Sequence, residues 1–137
     1  MKAKISWDGE ARFVAETESH HTVLMDGPPE RGGKNSGPRP MEMMLMAIGG
    51  CAAFDVVHIL KKGRQSIVSC DAQVEAVRSD EVPAVFTKIH LHFKVSGGNI
   101  KENIVRNAVK LSAEKYCSAS IMLSKGGVEI THSLELI

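Results

Sequence analysis

Pro40-Met41-Glu42-Met43-Met44-Leu45-Met46-Ala47-Ile48-Gly49-Gly50-Cys51 is the stretch whose reading decides the rest of the chain. Pro40 suits a first helical turn, where a missing N–H loses no partner. Met41, Met44, Leu45, Ile48, Ala52, Val56, Ile59 and Leu60 then recur at helical spacing. Lys61 and Lys62 complement the C-terminal end of the helix dipole, and Gly63 supplies the stop. Within this helix Met41, Met43, Met44, Leu45, Met46 and Ile48 point nearly all around the axis, so the helix is expected to be covered on all sides. A small domain can rarely bury such a helix alone, which makes a tight homodimer, with adaptable methionines in the contact, the expected arrangement. Each interior glycine costs about 1 kcal/mol relative to alanine. The pair Gly49-Gly50 therefore implies that another backbone, a partner helix or a substrate comes close beside Cys51.

Upstream, Ala3, Ile5 and Trp7 alternate before Asp8-Gly9, Ala11 to Glu16 follow, and His21 to Met25 lead into Asp26-Gly27, which reads as three short strands in two hairpins. Gly27 to Pro40, with Pro28, Pro29, Gly32, Gly33, Gly37 and Pro38, is a long loop, and loops of that length are often functional. Downstream the period changes to two. Val68, Cys70, Ala72, Val74 and Ala76 mark one strand face and Ile89, Leu91, Phe93 and Val95 another, a long antiparallel hairpin. Ile100, Ile104, Val105, Ala108, Val109 and Leu111 predict a second helix to about Tyr116, with Cys117 at its C-terminal edge. The alternation Val128, Ile130, His132, Leu134, Leu136 gives a closing strand after the turn at Gly126-Gly127. The predicted class is α+β, with two helices on antiparallel strands in a single domain over residues 1–137.

The chain has 137 residues, 43% of them hydrophobic, 24% charged and 4% aromatic, with a net charge of +1. That balance provides no electrostatic footprint for nucleic acid or an anionic membrane, and so few aromatics leave no base-stacking platform. No secretory leader follows the N-terminal lysines, and no segment is expected to span a bilayer, so the expected location is the cytoplasm. Three cysteines in a reducing compartment point to thiol chemistry rather than a disulfide scaffold.

The stretch Pro40 to Cys51, followed much later by Glu114-Lys115-Tyr116-Cys117-Ser118 and a closing strand, resembles the OsmC/Ohr superfamily, within which the YhfA-like branch fits best. The resemblance implies an intertwined homodimer with thiol sites at the subunit interface. It also implies a cysteine-based reduction of organic hydroperoxides, with a dithiol as reductant. Only a thiolate attacks the O–O bond. Cys117, placed at a helix C-terminus, would face the negative end of the dipole, which assigns Cys51 as attacking and Cys117 as resolving thiol. Apolar walls at Met44, Ile48 and Gly50 would favour an alkyl hydroperoxide. The rival reading is a non-catalytic protein of the same fold that binds a small molecule or senses redox state. Cys70, on a strand's apolar face, is expected to be core.

The resemblance also implies a thiolate-stabilising arginine held by a glutamate. Arg31 and Arg39 are the candidates, Arg12 a third, and the nearest carboxylate is Glu42. Glu42 lies nine residues before Cys51, which at 3.6 residues per turn points it to the opposite side of the helix and suits it to favour the helix N-terminus instead. The family's usual Cys-Pro-x-Ser-Lys reads Cys117-Ser118-Ala119-Ser120-Ile121 here. Asp55 lies one turn after Cys51 on its side of the helix, and His58 one turn further, an order unsuited to a nucleophile relay. His90 and His92 share a strand face without a third ligand at recognisable spacing, so no metal and no organic cofactor are expected.

Overall fold

The computed structural model describes all residues, Met1–Ile137, and contains two compact units, Met1–Met44 and Leu45–Ile137. In the first, strands β1 (Ala3–Trp7), β2 (Phe13–Thr17) and β3 (Thr22–Met25) form an antiparallel meander in the order β1-β2-β3, as the alternation predicts. This small sheet leaves much of its apolar surface in solvent: Ile5 is 56% and Trp7 68% exposed.

The loop that follows is held by one carboxylate. Asp26, 3% exposed, accepts hydrogen bonds from the amides of Gly27 (2.8 Å), Lys34 (2.9 Å) and Ser36 (3.1 Å) and from the Ser36 hydroxyl (2.7 Å). Gly33 and Gly37 let the loop pass close to the chain, since a Cβ on Gly33 would overlap the Gly27 carbonyl and one on Gly37 would lie 2.5 Å from the Leu24 carbonyl oxygen. Donation from Ser36 and Lys34 holds the Asp26 carboxyl well below its ordinary value of 3.8.

Helix α1 (Pro40–Lys62) begins at Pro40 and stops before Gly63, as expected. Its N-terminus is closed by Glu42, whose carboxylate accepts from the Arg39 amide at 2.8 Å, the reciprocal half of a capping box. Ile48, Ala52, Val56 and Leu60, four residues apart, are fully buried and commit one face of α1 to the core of the second unit. The expectation that no segment suits a bilayer needs correction. α1 has 23 residues and an 18-residue window of mean hydropathy 1.9, enough by length and composition alone to cross one. Glu42, Lys61 and Lys62 lie near its ends, but Asp55 sits inside the apolar run.

The second unit pairs α1 with a sheet of order β4-β5-β6: β4 (Ser66–Arg78), β5 (Phe86–Gly98) and β6 (Glu129–Leu136). Ile89, Leu91, Phe93 and Val95 of β5 are fully buried, as the alternation predicts. Val68 departs from its predicted face. A register shift between Ile67 and Ser69 makes Val68 a bulge, 80% exposed, and the inward face resumes at Cys70, Ala72, Val74 and Ala76. The closing strand differs in direction from the expected antiparallel pairing, because β6 runs parallel to β5. The connection has room for this because it carries helix α2 (Glu102–Leu111), a π turn (Ser112–Tyr116) and a further helix α3 (Ser118–Lys125), one more helix than the periodicity predicts. On the outer face, parallel register aligns Lys88 with Glu129 (3.2 Å), His90 with Thr131 (2.7 Å), His92 with Ser133 (2.7 Å) and Lys94 with Glu135 (3.4 Å). The two histidines are thus hydrogen-bonded to hydroxyls along a polar ladder.

The Asp26 anchor sets an acid limit on the first unit. Its carboxyl is depressed in the fold, so its contribution to stability is complete above about pH 3.8, starts to fall below that, and is lost only well below it. Wild-type protein is therefore expected to lose thermal stability through that window. Asp26→Ala is expected to show little of that loss, and to be cut several-fold faster by trypsin after Arg31 and Lys34 at neutral pH.

Candidate functional site

α1, the π turn and α3 bring together side chains that are far apart in the chain. Ser112, the first residue of the π turn, donates its hydroxyl to the Ala52 carbonyl at 3.0 Å, next to Cys51 on α1. Its own carbonyl accepts from the Cys117 amide at 2.8 Å, the five-residue closure that defines a π turn. One buried serine therefore ties the backbone beside one cysteine to that of the other. In the result the sulfurs of Cys51 and Cys117 and a carboxylate oxygen of Asp55 all lie within 4.8 Å of one another.

The electrostatics of Cys117 differ from the expectation. The residue does close one helical segment, but it is also the N-cap of α3, where Sγ accepts from the Ser120 amide at 3.4 Å and the Ser120 hydroxyl at 3.1 Å. It thus faces the positive end of a helix rather than only a negative one. Burial nevertheless dominates. Cys117 is fully buried, and desolvation pushes its thiol above 9.0, opposed by the Ser120 donors and reinforced by neighbouring Cys51. Cys51 is half-buried and is the more reachable sulfur of the two. Cys70 is half-buried on the inner face of β4, its thiol likewise raised by burial and by Asp71.

The departure from the family's second motif has a structural explanation. Ser118 occupies the first position of α3, where proline is favoured but not required. The motif's serine is retained as Ser120, and it is the residue that donates to Cys117. The helix was missed because eight residues with one polar cap and little periodicity carry a weak signal. The detectable one was the capping spacing from Cys117 to Ser120.

Asp55 enters the site where the sequence reading placed it on Cys51's side, yet without His58. That imidazole is exposed and stacks on Phe54, ring centroids 6.3 Å apart and 5° from parallel. Asp55 Oδ2 is buried with no hydrogen-bond partner. Of the activating candidates, Arg39 is paired with Glu42 (3.4 Å) and Arg12 with Asp8 (2.8 Å), while Arg31 ends a short 3₁₀ turn, Pro29–Arg31, and pairs with no carboxylate. Glu42 both caps the helix and pairs with the Arg39 guanidinium, so the arginine–glutamate pairing is present among the candidates. Of the pocket candidates, Ile48 is a fully buried core residue and Met44 is 40% exposed. Gly50 lines a shallow apolar depression with Leu45, Met46, Gly49, Ala72 and Val74. The two glycines serve different neighbours. A Cβ on Gly49 would sit 2.8 Å from Val74 Cγ2, so glycine there lets the helix pack closely on the sheet, whereas one on Gly50 would meet nothing within 4 Å.

An α+β protein with two thiols converging beneath an apolar helix is the class that fold and site define. Residues 33–133 match the family model described as OsmC-like protein, and the chain belongs to that family. Protein YhfA of Escherichia coli strain K12 is 49% identical, the match covering 100% of this chain and 98% of that protein. A solved structure of a hypothetical protein from Aquifex aeolicus superposes with a TM-score of 0.82 at 28% identity, covering 99% of this chain and 96% of that one. The organic hydroperoxide resistance protein OhrB of Bacillus subtilis shares the fold, with a TM-score of 0.62 and 19% identity over 98% of each chain.

The balance at Cys117 is testable by following thiolate absorbance against pH in protein whose other two cysteines are serine. The midpoint is expected above 9.0. Ser120→Ala, which removes a donor that favours the thiolate, is expected to move it higher still; a downward move would contradict the assignment.

Proposed function

We propose that this protein reduces organic hydroperoxides through a thiol–disulfide cycle between Cys51 and Cys117. The observation that carries the reading is the approach of the two sulfurs within 4.8 Å, one half-buried and one fully buried. The Cys51 thiolate attacks the distal peroxide oxygen, the O–O bond breaks, and the alkoxide leaves as an alcohol after taking a proton. Cys51 is then a sulfenic acid. The Cys117 sulfur attacks it, expels water and forms the disulfide, and a dithiol reductant restores both thiols by exchange. The role of Cys51 as first nucleophile rests on access, since a fully buried thiol with a raised pKa is a poor partner for a peroxide arriving from solvent. The apolar depression beside Gly50 suits an alkyl substituent. A cycle that a dithiol must restore accords with action in the reducing cytoplasm.

One equivalent of an alkyl hydroperoxide added to reduced protein is expected to consume two thiols and yield a Cys51–Cys117 disulfide in the mass map. With Cys117→Ser, a sulfenic acid on Cys51 is expected to persist, and with Cys51→Ser no rapid loss of thiol. Unreacted thiols in the wild type would sink the catalytic reading and leave the apolar depression as a binding site.

The working form is proposed to be a homodimer. α1 exposes Met46 (60%) and Phe54 (72%) around the open surface at Gly50, and the first unit exposes Ile5 and Trp7. Light scattering is expected to give about twice the chain mass of 14.9 kDa. Phe54→Glu is expected to shift the population toward monomer, and a wild-type monomer at micromolar concentration would refute the assignment.

A further inference from the structure

Two thiols and a carboxylate within 4.8 Å are the makings of a redox pair with a positioning acid, and they are also three ligands for a metal. The second possibility is favoured by an observation the thiol cycle leaves unexplained: Asp55 Oδ2 is buried and unpartnered. A buried carboxylate oxygen without a donor is costly, and a protein tolerates it where something absent from the bare chain supplies the charge. Within the chain no Lys, Arg or His is among the ion-pair or hydrogen-bond partners of Asp55, Cys51 or Cys117, so no side chain of the same chain furnishes that charge. We propose that Cys51, Asp55 and Cys117 form a binding site for one thiophilic divalent cation, with Zn²⁺ as the best fit.

Two soft sulfurs exclude the hard cations Mg²⁺ and Ca²⁺ and favour Zn²⁺, which takes tetrahedral sites of mixed sulfur and oxygen ligands. With Zn–S near 2.3 Å, tetrahedral ligand atoms stand about 3.7 Å apart. The three ligand atoms therefore need to draw together by no more than about 1 Å, within the reach of side-chain rotation. Support from outside the ligands is already present. The Ser120 amide and hydroxyl donate to Cys117 Sγ, and Ser112 fixes the π turn against α1, as outer partners do in metal sites. Three protein ligands leave a fourth position for water or a small thiol. His90 and His92 take no part, being engaged with Thr131 and Ser133 on the outer sheet face. The site does not depend on the peroxidase reading. If both hold, a bound cation withdraws the two sulfurs from the disulfide cycle, so metal occupancy and peroxide reactivity exclude each other.

The test is a titration of reduced, metal-free, untagged full-length protein with Co²⁺ as spectroscopic probe, followed by displacement with Zn²⁺. The expected result is one cation per chain with a thiolate-to-cobalt charge-transfer band that Zn²⁺ abolishes. Cys51→Ser is expected to remove the band, Asp55→Asn to weaken binding at least tenfold, and His90→Ala with His92→Ala to leave both unchanged. Circular dichroism establishes that each variant is folded; should Cys117→Ser, altered at a fully buried position, fail that check, the Cys51 and Asp55 variants carry the test. Absence of a charge-transfer band in the wild type, or uptake that survives both Cys51→Ser and Asp55→Asn, would overturn the site. Alkyl hydroperoxide added to the metal-free protein separately tests the thiol cycle, so failure of one reading is distinguishable from failure of the other.

Discussion

The hydroxyl of Ser112 on the Ala52 carbonyl is the contact on which the chemistry of this fold depends. A helical carbonyl has a second lone pair to offer, so Ser112 takes it without displacing a rung of α1. Its value lies in geometry, since a buried neutral hydrogen bond contributes only about 1 kcal/mol net. The same residue closes the π turn through its carbonyl, and the turn's extra residue lets the chain leave α2, expose Tyr116 and return Cys117 to the interior as the cap of a new helix. A regular α-helical continuation would have rotated Cys117 elsewhere and left α3 uncapped.

Burial and hydrogen bonding pull the site in opposite directions. Desolvation favours the neutral form of Cys117, while Ser120 contributes two donors that favour its thiolate. Close approach to Cys51 disfavours two negative sulfurs together. A pair so arranged holds one ready charge at most, unless a cation is supplied. Asp55, with its unpaired oxygen, sharpens that requirement.

Most of the framework was legible because it is written in periodicity. α1 begins at Pro40 and ends before Gly63, β5 buries Ile89, Leu91, Phe93 and Val95, and the three N-terminal strands fall where alternation and turn residues place them. What could not be read depended on partners remote in the chain. Val68 has the right spacing for the inward face, and only a bulge against β5 turns it out. The direction of β6 depends on what the connection contains, and α3 is only eight residues long with little periodicity. At the site, the two cysteines and Asp55's side of the helix were visible in the spacing. Ser112 and Ser120 were not, since a serine near a helix end is common and its buried partner lies in another segment.

The parallel pairing of β6 with β5 also says something about how the molecule is built in time. A hairpin closes locally, but a parallel partner must wait for the whole intervening connection, and contacts of that kind form slowly. Here the connection is the segment that carries Ser112, Cys117 and Ser120. The antiparallel β4–β5 hairpin can be in place while Cys117 is still in solvent and far from Cys51. The closeness of the thiols therefore reports on the docking of that connection against α1, through Ser112, rather than on the hairpin alone.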